Sequence, residues 1–98
     1  GLGQSLFETM IFDGTCLVNG EALAYQVPMA SDLPEKFVSI TQEQGHGPGP
    51  FGSKGMGEGG MLPVASAIAN AVYNAVGVRI TELPLSPDRV KKALADQK

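Results

Sequence analysis

With 98 residues, 43% of them hydrophobic and 17% charged, the chain has material for one small domain with a modest core, and its charge content is low for a domain surrounded by water. Ten acids against seven bases leave a net charge of -3, which excludes a phosphate-backbone binder, because nucleic-acid affinity is mostly Lys and Arg charge. One cysteine, Cys16, and one histidine, His46, supply neither an internal disulfide nor a metal-ligand cluster; the first suits a reducing cytoplasm and reads as a small hydrophobe, the second as a loop residue.

The chain opens on Gly-Leu-Gly, with no initiator Met and no leader-type apolar core, as a cut start does. Leu2, Leu6, Phe7 and Met10 then recur at helical spacing with Gln4, Ser5, Glu8 and Thr9 opposite, which predicts a short amphipathic helix over residues 2–10. From Phe12 to Pro28 the pattern alternates loosely, and Asp13-Gly14 and Asn19-Gly20 are turn signals, so short extended pieces and a hairpin are expected. Pro28 and Pro34 bracket an irregular linker, after which Phe37, Val38 and Ile40 predict a strand over residues 36–42.

Residues 45–60 contain eight glycines in sixteen positions, and Pro48 and Pro50 argue against a regular element in the first half. A loop of this length in a small domain is functional or disordered. Met61 to Val76 follows as a helix that is apolar around most of its circumference, with Pro63 in its first turn and Gly77 at its stop, so burial on more than one side is expected. Its polar interruptions, Ser66, Asn70 and Asn74, make it a poor membrane span. Val78, Ile80 and Leu83 predict a second strand, and Ser86-Pro87-Asp88 starts a last helix with Val90, Ala93 and Leu94 on its buried face and Lys91, Lys92 and Lys98 towards its C-terminus. The fold class is therefore α+β, one small mixed domain over residues 1–98 with about three helices and a few short strands.

Three readings of the glycine loop stand side by side. Gly55-Met56-Gly57-Glu58-Gly59-Gly60 satisfies G-x-G-x-x-G with Glu82 downstream, but a dinucleotide fingerprint needs a buried strand running into its first glycine, and "GHGPGPFGSK" cannot be one. A flexible linker would account for the glycines, yet Phe51, Met56 and Met61 are denser here than linkers allow. In the third reading this is an active-site loop, whose glycines let backbone approach a ligand closely while Glu58 accepts a proton.

The stretch "GPFGSKGMGEGGMLPVASAIANAVYNAVGVRITELPLSPDRV", from Gly49 to Val90, together with "GLGQSLFE" and "ALAYQVPMASDLPE", resembles the C-terminal part of the large, molybdopterin-binding subunit of the xanthine oxidase family, the molybdenum hydroxylases. That resemblance covers nearly the whole chain, and it implies a fragment of a larger molybdenum-cofactor-binding domain of the aldehyde oxidase or xanthine dehydrogenase type. It implies an oxidoreductase that delivers water-derived oxygen to an electron-poor carbon of an aldehyde or N-heteroaromatic ring, with Glu58 as general base beside the metal and not ligating it. Lys54, Gly55, Met56 and Gly57 would lie against the molybdenum-pterin cofactor, and no residue of this chain would be a metal ligand. The remaining walls of the pocket would come from the rest of the subunit, with iron–sulfur and FAD groups on partner subunits or domains, so the 98-residue chain is expected to be inactive alone and prone to self-association through uncovered apolar surface. Gly59-Gly60 stands where many members of that family carry Pro-Pro or Ser-Pro, which leaves the subgroup open. The rival reading is a stand-alone binding or assembly module in which the loop is only contact surface.

Overall fold

The computed structural model describes residues 1–97 and runs, in chain order, through α1 (Leu2–Leu6), β1 (Phe12–Asp13), β2 (Cys16–Leu17), α2 (Leu62–Val76) and α3 (Pro87–Asp96). Single 3-10 turns stand at Ala30–Asp32 and Pro50–Gly52. Three helices and one two-stranded sheet make this the α+β chain expected.

Helix α1 stops well short of Met10. Phe7 leaves helical geometry at φ −128°, and the N–H groups of Phe7 and Glu8 both turn back onto the Gly3 carbonyl at 2.8 Å, which closes the helix end. The chain then forms an antiparallel hairpin that pairs Phe12 with Leu17 and Asp13 with Cys16. Gly14, at φ +58°, takes the first central position of the two-residue turn, the backbone of a type II′ connection that matches strand twist. Asn19, expected only as a turn residue, clamps the mouth of the hairpin: its Oδ1 accepts from Ile11 N–H at 2.8 Å and its Nδ2 donates to the Thr9 carbonyl at 2.7 Å. Cys16, read as a small hydrophobe, is a free thiol and stands exposed on this hairpin.

The predicted strands over 36–42 and 78–83 do not form; both segments are irregular. An alternating pattern proposes a strand, but a strand exists only where a second strand accepts its ladder, and among the described residues the only ladder is the hairpin. Phe37 and Ile40 accordingly stand in solvent, whereas Val78, at 5% exposure, joins Leu85, at 4%, as the buried apolar side chains.

Ser5 links the pieces around that small core. Its hydroxyl donates to the Gly1 carbonyl at 2.7 Å, and its own carbonyl accepts from Leu85 N–H at 2.7 Å, tying α1 to the segment ahead of α3. Helix α1 packs on α2, and Val64, Ala65, Ile68, Ala69, Val72 and Val76 form the half-buried face of that helix. None of its residues is fully buried, so the expectation of burial on more than one side is not met within this chain. Gly77 ends α2 in the left-handed conformation at φ 74°, its N–H donating to the Tyr73 carbonyl at 2.7 Å, as the sequence requires. In α3, Ser86 caps with its side chain accepting from Arg89 N–H, and Asp88 complements the first turn. Val90 and Ala93 are half-buried, Leu94 is exposed, and the last turn carries no base: Lys91 and Lys92 sit in mid-helix, and Lys98 lies outside the described residues.

One polar pair lies close to α1. Tyr25 Oη donates to Glu8 Oε2 at 2.8 Å, and the phenol is held above its ordinary 10.0, first by that hydrogen bond, then by desolvation and by the Glu8 charge. A phenol proton bound more tightly in the folded chain contributes stability below pH 10.0 that is lost as pH rises through the folded value. Glu8→Ala is expected to bring the Tyr25 absorbance titration back towards 10.0; an unaltered titration would mean that the pair does not form in solution.

The chain spreads more than its length requires. Its radius of gyration is 17.6 Å, against about 13 Å for a compact domain of this size. Its accessible surface is 8279 Å², where a folded monomer of this mass exposes about 5,300 Å².

Candidate active site

The glycine loop divides into two halves that differ in what holds them. In the first, Gly47 N–H donates to the Gly52 carbonyl at 2.8 Å and Gly49 N–H to the Ser53 carbonyl at 3.1 Å, so residues 45–53 close on themselves. Glycine is required here by close approach: a Cβ on Gly47 would stand 2.1 Å from the Ser53 carbonyl oxygen, and one on Gly52, already at φ +77°, 2.2 Å from that of Gly45. Pro50 to Gly52 forms a single 3-10 turn, a short regular piece where the prolines argued against any, and Phe51 between them takes φ 57° with its ring fully in solvent.

The second half, residues 54–60, has no such internal reason for its glycines. At Gly55, Gly57, Gly59 and Gly60 a Cβ would meet no atom of the described residues within 4 Å, and none of these four has a positive φ. The Glu58 carbonyl accepts from Met61 N–H at 2.9 Å and Leu62 N–H at 3.1 Å, which builds the entry to α2 and sets Glu58 at that helix's positive end. Its side chain is exposed, as is that of Lys54, and neither is held by an ion pair or a side-chain hydrogen bond among the described residues. Lys54 and Met56 share a cleft of about 380 Å³ with Gln42, Gln44, Phe51 and Ser53, whereas Gly55, Gly57 and Glu58 do not line it. The five residues singled out in the sequence are therefore contiguous and open, but only two of them face one cavity.

Among the described residues no three His, Cys, Asp or Glu side chains converge as a metal set, and no helix is long and apolar enough to cross a membrane. The sequence reading passed over Arg79, whose guanidinium donates to Asn70 Oδ1 at 2.7 Å and lies 4.1 Å over the Tyr73 ring. The i, i+3 spacing of Asn70 and Tyr73 on α2 was the available signal. This contact engages Asn70 and Tyr73 of α2 and no residue of the glycine loop is part of it.

No family model matches the chain. It is similar to single segments of much longer proteins: 36% identical over 98 residues to the aldehyde oxidoreductase molybdenum-binding subunit PaoC of Escherichia coli (strain K12), covering 98% of this chain and 13% of that protein. It is 43% identical over 95 residues to the xanthine dehydrogenase molybdenum-binding subunit of Escherichia coli O157:H7, covering 92% and 12%. The 6-hydroxypseudooxynicotine dehydrogenase complex subunit gamma of Paenarthrobacter nicotinovorans is 31% identical over 94 residues, covering 92% and 12%. A small α+β chain with an open, carboxylate-bearing glycine loop is thus homologous to part of a class of oxidoreductase subunits that bind molybdenum. Within that class it belongs with the molybdenum-binding subunits of the aldehyde oxidoreductase and xanthine dehydrogenase family, spanning about an eighth of the length of the curated relatives it matches.

Proposed function

We propose that the chain is the catalytic-loop segment of a molybdenum hydroxylase large subunit, in which Glu58 is the general base for hydroxylation of an aldehyde or N-heteroaromatic substrate. The observation that carries this is the pair of glycine classes in one loop. Glycines 47 and 52 answer to the chain's own backbone, while Gly55 and Gly57 leave unfilled space where a β-carbon would stand, and space of that kind fits a flat, rigid group laid against the main chain. Lys54 and Met56, alternating with those glycines, border the same group from the cleft side.

The molybdenum-pterin cofactor, when bound, supplies the redox change and the activation of water. What this chain adds is a proton acceptor. Glu58 accepts the proton of the water-derived oxygen at its carboxylate without being a ligand, and two hydrogen bonds to its carbonyl fix the backbone from which that side chain extends at the entry of α2. An exposed carboxylate with no partner of its own is available for such a task, whereas one held in an ion pair would have to be released first. The rest of the subunit closes the pocket and excludes water, and the electrons leave through iron–sulfur and flavin partners.

Native mass spectrometry with metal analysis of the complex that carries this segment checks the reading. One molybdenum per copy is expected, together with the larger chains that complete the pocket. A stable assembly without molybdenum would sink it and favour the binding-module alternative.

A further inference from the structure

Positions 59–78 hold no Asp, Glu, Lys, Arg or His, and α2 occupies most of that stretch. One face of the helix is half-buried on α1. At the edge of that face, where Val64 and Ile68 give way to the exposed Ala67, α2 shares a groove of about 410 Å³ with Leu2 of α1 and with Leu33 and Phe37 of the segment at residues 33–37. Phe37 is 74% exposed and Leu62 69%. The excess of accessible surface over a folded monomer of this mass is about 3,000 Å², several times the ~800 Å² that one partner contributes to a standard protein interface. A self-dimer of ordinary size would leave most of it wet. Helix α3 contrasts with this, carrying Asp88, Arg89, Lys91, Lys92 and Asp96 within ten residues.

We propose that the open side of α2 and the groove it forms with residues 33–37 are interior packing surface, covered by uncharged apolar segments of the remainder of the same subunit, while α3 stays in water. This rests on the reading of the chain as one segment of such a subunit, whose relatives are about eight times longer. The area, the absence of charge and the missing length agree on that occupant, because a continuous subunit body can cover 3,000 Å² where a second copy of ordinary contact size covers far less.

The test is Ala67→Lys in the full-length subunit. The introduced ammonium would be buried without a partner, so the yield of soluble, molybdenum-loaded subunit is expected to fall at least tenfold. Lys91→Ala on α3 is expected to leave that yield unchanged. In the 98-residue chain Ala67 is exposed, so the far-UV circular dichroism of Ala67→Lys should match that of the unsubstituted chain. Should helicity fall there, Phe37→Asp, in an irregular exposed segment that no helix depends on, decides by the same yield measurement. Wild-type yield and metal content for the deciding variant would overturn the proposal. So would a concentration-dependent dimer of the 98-residue chain that Ala67→Lys dissolves while the full-length subunit is untouched, since a second copy would then be the occupant. These readouts concern assembly, whereas the role of Glu58 is read from turnover of assembled enzyme, so either reading can fail without the other.

Discussion

Glu58→Gln is expected to lower kcat/KM of the molybdenum enzyme that carries this chain by about 10²–10⁴-fold while its molybdenum content stays at the unsubstituted level. Glutamine keeps the length of the side chain and an accepting carbonyl, but it cannot take a proton, so the substitution removes basicity with little change of shape. The structure makes the result interpretable. Glu58 contributes its backbone carbonyl to the entry of α2, which glutamine retains, and its carboxylate makes no hydrogen bond or ion pair among the described residues. A fall in kcat with intact metal content therefore reports on the proton transfer and not on folding. Steady-state kinetics on metal-quantified enzyme decide the matter, and turnover within a few-fold of the unsubstituted enzyme would remove Glu58 from the role of base.

Gly57→Val is expected to cost at least tenfold in molybdenum content of the full-length enzyme, yet to leave the helicity and the elution volume of the 98-residue chain unchanged. The β-carbon at this position meets no atom of the described residues within 4 Å, and the backbone there does not take a positive φ, so a branched side chain is accommodated locally. Only a group brought from outside and laid on the backbone would be displaced by it. Gly47→Val provides the contrast. There the new carbon would stand 2.1 Å from the Ser53 carbonyl oxygen, so the turn at residues 45–53 itself must open. Metal analysis beside circular dichroism separates the two, and full molybdenum occupancy in Gly57→Val would show that the open glycines serve no cofactor.

Between them the two substitutions divide the loop by what each residue answers to, and that division was not legible in the sequence. Eight glycines in sixteen positions look alike as letters. Which of them are needed internally depends on where the chain returns on itself, here through the hydrogen bonds from Gly47 to Gly52 and from Gly49 to Ser53. What the string does carry is the spacing from the glycines to Glu58 and on to Pro63, which needs no tertiary contact to be read.

The elements sort in the same way. Helices α2 and α3 were readable from local chemistry alone: Pro63 in a first turn, Gly77 in the left-handed conformation, and Ser86 as a cap act within one turn of the chain, so the sequence by itself determined where both helices begin and where α2 ends. The tight turn at Gly14 belongs with them. Strands at residues 36–42 and 78–83 were written in the same letters but required partners far away, and these residues stay irregular because no ladder in the described chain receives them. Helix α1 ended early for a related reason, its last N–H groups being drawn back to Gly3. Burial was likewise decided only in three dimensions. An apolar circumference on α2 says that water is unfavourable there, but which face is covered depends on what packs against it, and here α1 covers one face and leaves the other open. Short-range hydrogen bonding and φ preference are encoded residue by residue, while pairing and burial are properties of two surfaces meeting, which a single stretch of sequence cannot contain.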